Sequence, residues 1–290
     1  MRVFSAALGA AVLLSACASV PTPEPIVATE RAFAADGYET GIKASFVKYA
    51  APDAIMFSPG PVNVHDYFAG RPDAAPDPDR PHLVWWPLSA GIAKSGDLGF
   101  TTGPYGLDDT RYGWYFTIWQ RQGDGSWKWV LDAGVDADPA DAAAQDAPVA
   151  YLPVSGQGSN GQADAMSEVG AIEAAMAELA ASDLAAAYAG HLAPDARLHT
   201  ESIPPGTDPA GRDAAIAGRP AQMFLTAKGG GASAAGDLVW TWSEAHWTAD
   251  APPTHGFVVR VWQKRAAGWQ IVFDELAPWS GPEPAEEAGE

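Results

Sequence analysis

The chain has a single cysteine, Cys17, so it can form no intramolecular disulfide. Cations are scarce: 17 Lys and Arg stand against 36 Asp and Glu, a formal net charge of −19. The basic residues are dispersed, without the stripe that nucleic-acid binding needs, and such a surface repels polyanions and anionic head groups alike. The 6 histidines are scattered, and no His-Glu-x-x-His, His-x-His or paired-Cys spacing occurs, so no dedicated metal site is expected. Gly229-Gly230-Gly231 lacks the surroundings of a phosphate-binding loop, no Gly-x-Ser-x-Gly elbow exists, and nothing implies a cofactor.

The one pronounced apolar run, Val3 to Leu14, follows Met1 and Arg2 and ends at Leu14-Ser15-Ala16-Cys17. It is too short to span a bilayer and has the charged start and small-residue end of a secretory signal. Residues 1–17 read as a lipoprotein signal peptide with a lipobox, Cys17 being the lipidated residue; an ordinary cleavage site is the plainer alternative. Ala18 instead of Asp favours the outer membrane over the inner. The expected place is the cell envelope, facing the periplasm, with membrane contact only through the anchor.

Beyond the leader, one set of phrases is written twice in the same order. Ala51-Pro52-Asp53-Ala54 returns as Ala193-Pro194-Asp195-Ala196, Ala69-Gly70-Arg71-Pro72 as Ala217-Gly218-Arg219-Pro220, and Gly96-Asp97-Leu98 as Gly236-Asp237-Leu238. Ile118-Trp119-Gln120-Arg121 is matched by Val261-Trp262-Gln263-Lys264, and the stretch ending at Asp132 by the one ending at Asp274. This predicts a first domain over 18–135, an exposed linker over 136–165, a second diverged domain over 166–280 and an acidic disordered tail over 281–290.

Each copy predicts helices first and strands afterwards. Ile42, Phe46 and Tyr49, and Ile172, Met176 and Leu179, recur at helical spacing, and Ser182 is placed to cap a short second helix. Strands are expected over 54–57, 83–93, 97–103, 113–121 and 127–132, with a hairpin turn at Asp124-Gly125. The fold class is α+β: two tandem cones, each a curved antiparallel sheet packed on N-terminal helices.

Ala51-Pro52-Asp53, Pro59-Gly60-Pro61-Val62, Trp85-Trp86-Pro87, the run Ser95 to Gly103, and Trp127 to Asp132 together resemble the nuclear transport factor 2-like superfamily, in particular SnoaL-like bacterial members. The likeness covers about residues 24–135; the second copy keeps the element order and Asp274 but lacks the Trp-Trp-Pro and Thr-Thr-Gly phrases. It implies a cone with an apolar pocket at its wide end, a scaffold that hosts isomerases, cyclases, dehydratases and non-catalytic modules, so fold alone decides no chemistry.

Asp132 is the best candidate acid or base, since an Asp after an apolar strand can be buried and its pKa raised; an Asp at a strand end can equally cap the following turn. Trp85, Phe100, Tyr115 and Trp119 in the first copy, and Trp240, Trp242, His246 and Asp274 in the second, are candidate ligand contacts. His65 with Asp66 and His199 with Glu201 are candidate acid–base pairs, although surface placement suits them as well. Three readings follow: a module binding a small apolar molecule, an isomerase-type enzyme using Asp132, and an intramolecular pseudo-dimer in which the two sheets meet.

Overall fold

A computed structural model describes residues 20–57, 60–72, 79–137, 142–250 and 253–281. Cys17, Pro59 and nearly all of the acidic tail lie outside these residues, so the lipobox and tail expectations do too. Among the described residues no helix is long and apolar enough to cross a membrane.

The chain is mixed α+β with two sheets, each faced by helices. The first half runs α1 (Glu24–Thr40), α2 (Ile42–Tyr49), β1 (Ala50–Met56), β2 (Val62–Asn63), α3 (Val64–Phe68), β3 (Leu83–Trp85), β4 (Ser89–Ile92), β5 (Leu98–Leu107), β6 (Thr110–Arg121) and β7 (Trp127–Asp136). After β8 (Ala150–Tyr151) the order returns: α4 (Gln162–Ala180), α5 (Leu184–Tyr188), β9 (Leu192–Thr200), β10 (Ile203–Gly206), α6 (Pro209–Ala217), β11 (Phe224–Ala232), β12 (Leu238–His246), β13 (His255–Arg265) and β14 (Gly268–Trp279). The sheets have the same plan: β2-β1-β7-β6-β5-β4-β8, with β3 also on β5, and β10-β9-β14-β13-β12-β11. In each, the first strand lies parallel to the last, and the strands between form an antiparallel meander.

Local chemistry explains most boundaries. Asn63, Asp183 and Asp208 cap α3, α5 and α6 by accepting from backbone N–H groups, so the cap of α5 is Asp183 and not Ser182. Gly41, at φ 91°, ends α1 and sets the break between the first two helices. At Asp124-Gly125 the hairpin closes as expected, Gln122 N donating to Ser126 O at 2.7 Å. Pro87 divides the expected strand over 83–93 into β3 and β4, because its ring nitrogen can donate nothing to the ladder.

The face of α4 that turns inward is Ala165, Val169, Glu173, Met176 and Ala180, while Leu179 is exposed. The sequence stripe was offset because a buried Glu does not register as apolar. The segment expected to be an exposed linker is tied to both halves: β8 pairs parallel with β4, Gln263 Nε2 donates to Pro153 O, and Ser159 N donates to Gly236 O.

Facing side chains of the two sheets pack against one another. Phe116 stacks on Phe273 with centroids 3.7 Å apart, and Phe57 packs on Trp242 and Phe257. At one end the repeated turns exchange bonds reciprocally: Lys94 N donates to Asp237 and Ala234 N donates to Asp97. This reciprocity is that of an isologous contact, made within one chain.

Candidate functional site

Alternation sends one side of each strand into its cone and the other toward the opposite sheet. In β6, Tyr115, Thr117 and Trp119 face the helices while Trp114 and Phe116 face the second half. Inside the first cone lies a cavity of about 580 Å³, walled by Phe33, Phe46, Tyr67, Trp85, Tyr105 and Tyr115, with Asp132, Asp136 and Glu201 among its polar groups.

Asp132 sits within β7, which continues to Asp136, so it does not cap a turn. Its carboxylate accepts from Thr117 Oγ1, directly across the ladder, at 2.8 Å. Burial, reinforced by the charge of Glu30, pushes its pKa up to about 8, with the Thr117 bond pulling the other way. Tyr115 is buried, its hydroxyl has no hydrogen-bond partner among the described residues, and burial keeps it protonated well above the usual phenol range. The site therefore offers an acid–base group titrating near neutrality, beside a buried phenol close to Thr101.

Beneath the cavity floor Glu30 accepts from Trp85 Nε1 at 2.6 Å, Trp119 Nε1 at 2.9 Å and Thr101 Oγ1 at 2.5 Å. Burial raises its pKa despite these donors. The second cone repeats the device: Glu173 accepts from Trp262 Nε1 and Thr241 Oγ1, both at 2.8 Å. Arg260 stands there in place of Thr117. It bonds Asp274 through Nε at 2.7 Å, Tyr188 through Nη2 at 2.9 Å, and Glu173 through Nη1. Arg219 adds bonds to Asp274 at 2.5 Å and to Tyr188 at 2.8 Å. Burial opposes ionisation of Asp274, but the two guanidinium groups outweigh it and hold its pKa below the ordinary value.

Of the residues singled out by sequence, Trp85, Tyr115 and Asp132 come together around the first cavity. The others go elsewhere. Trp119 is fully buried and spends its N–H on Glu30; Phe100 faces the second sheet, near Phe116 and Phe273. Asp274 is enclosed by Arg219 and Arg260, which leaves it no oxygen for a ligand. Trp240, Trp242 and His246 share one face of β12, but it is the outer face of the cone: Trp242 packs on Phe57 and His246 stacks with His255. His65 bonds Ala51 O and Asp66 is exposed, so they form no pair. His199 meets Glu275 at 3.1 Å between the sheets, not Glu201, which lies at the cavity rim. Among the described residues no cluster suited to a metal ion occurs.

Sequence reasoning missed Thr117, Glu30, Phe46 and the Arg260–Arg219 pair. A signal existed for Glu30 and Glu173, which take equivalent places in the first helix of each copy.

No family model matches the chain, and no curated protein matches it. Solved structures do. An NTF2-like protein of unknown function from Pseudomonas putida is 14% identical, with TM-score 0.34, over 45% of this chain and 93% of that one. An NTF2-like protein with a cystatin-like fold from Novosphingobium aromaticivorans is 17% identical, with TM-score 0.33, over 42% and 86%. A ketosteroid isomerase-like protein from Erwinia carotovora atroseptica is 16% identical, with TM-score 0.35, over 40% and 97%. What this chain is similar to among solved structures is thus a set of NTF2-like and ketosteroid isomerase-like proteins, each match spanning less than half of it.

Proposed function

We propose that this chain is a lipid-anchored protein of the cell envelope whose first half holds a small, mainly apolar molecule, and whose second half braces the first as a built-in partner. The observation that carries the reading is the aromatic-walled cavity of about 580 Å³ whose few polar groups include Asp132. A few polar groups in an apolar concavity are the common composition of small-molecule sites. The cone of the second half is closed at the corresponding point by buried ion pairs, so it supports a bracing role.

Native mass spectrometry of the purified chain, followed by organic extraction, tests this. The expected result is a reproducible small-molecule adduct, or saturable binding of an apolar fluorophore that Trp85→Ala weakens. A clean mass together with no saturable binding of any apolar probe would overturn it.

A second reading, acid–base catalysis of the isomerase kind, is favoured by one specific pairing. Asp132 titrates near neutrality and Tyr115 can donate to an oxygen that gains charge. In that case Asp132→Asn abolishes proton exchange of a bound carbon acid while leaving its affinity within a few-fold.

A further inference from the structure

The two halves place the same acids on the same framework and neutralise them differently. Glu30 and Glu173 occupy equivalent helix positions, each held by a Trp and a Thr from equivalent strands. Asp132 and Asp274 stand directly opposite Thr117 and Arg260 on the neighbouring strand. In the second half the guanidinium of Arg260 lies among Glu173, Asp274 and Tyr188. The corresponding place in the first half lies among Glu30, Asp132 and Phe46, and there the side chain across the ladder is only a threonine.

The second cation of the pair is missing from that place as well. Arg219, in the repeated Ala-Gly-Arg-Pro phrase of the second copy, points inward to Asp274. Its counterpart Arg71 is exposed, bonded to Tyr67 O and stacked on the Tyr67 ring at 3.9 Å. The first half thus keeps both carboxyls and has neither guanidinium beside them, and its cavity opens on Asp132 and Phe46.

Resting on the binding reading above, we infer that this cavity recognises an organic cation, an amine or guanidine on an apolar body, whose charged group takes the place Arg260 holds in the second half. Three features fit such a ligand. Asp132 accepts one hydrogen bond of the several a carboxylate can take. The Tyr115 ring forms part of the wall beside that carboxylate, its hydroxyl buried close to Thr101. Aromatic faces around the carboxylate attract a desolvated cation, and Asp136 and Glu201 at the rim draw it in.

Benzylguanidinium and its neutral counterpart benzylurea separate the inference from the reading beneath it. Calorimetric titration of the full chain at about pH 8.5 is expected to show benzylguanidinium bound at least about tenfold more tightly, the scale of one charge-assisted hydrogen bond. That preference should vanish in Asp132→Asn. Thr117→Arg, which rebuilds the arrangement of the second half, should lose binding of both probes while melting at a higher temperature. Equal affinities with no effect of Asp132→Asn would leave a ligand cavity standing and overturn the cation. Undiminished guanidinium binding in Thr117→Arg would overturn the assigned position, and failure of benzylguanidinium to bind the unaltered chain would overturn the cation, while the cavity reading is decided separately by the adduct and fluorophore measurements.

Discussion

Asp132 and Asp274 show how one residue at equivalent points of a repeat acquires opposite titration behaviour. Asp132 is raised in the folded chain, to about 8, so the stability tied to its protonated form is complete below the ordinary carboxylate range and is lost as pH rises through about 8. Burial raises Glu30 and Glu275 as well, adding the same sign. Asp274 is depressed, and its stabilisation is lost only as pH falls through its folded value. Denaturant midpoints from about pH 5 to pH 9 should therefore decline, and Asp132→Asn should flatten that decline; an unchanged slope would mean that Asp132 is not the titrating group. Asp274→Asn should cost about 3–5 kcal/mol in equilibrium unfolding, because Arg219 and Arg260 would stay buried with too little negative charge. Sequence pointed to both aspartates through the repeat. It could not tell them apart, since the difference lies in Thr117, Arg260 and Arg219, which reach them from other elements.

Among the elements, β3 and β4 set the wall that carries Trp85, and a glycine lets them approach β5. A Cβ on Gly103 would lie 1.9 Å from the Trp86 carbonyl oxygen, and no side-chain movement relieves a clash with backbone. Gly103→Ala is expected to destabilise by about 1–3 kcal/mol, the usual range for overpacking. It should also weaken probe binding by displacing Trp85, which thermal melts and titration would show together. The Asp124-Gly125 turn was readable because its cause is local, whereas the cap of α5 fell one residue beyond the expected Ser182, at Asp183. The inward face of α4 was not readable, because Glu173 turns in to meet Trp262 and Arg260, which lie on a strand far along the chain.

For the molecule as a whole, the cross-half contacts predict a single folding unit. The Phe116–Phe273 stack, the Trp114–His199 ring contact and the exchanged turns all join the halves. Chemical unfolding should give one cooperative transition by fluorescence and by far-ultraviolet dichroism; two separated transitions would show that the halves fold independently. Phe273→Ala should lower stability by about 3–5 kcal/mol through the cavity left between the sheets. Repetition, element order and the α+β class could all be read from the chain, because periodicity, turn residues and repeated phrases are properties of short segments. Packing settled the rest: which strand face entered the cone, which aromatic residues became core or interface, and which carboxyl met a guanidinium. Those outcomes depend on side chains from distant segments competing for the same enclosed space, and no local pattern records who wins.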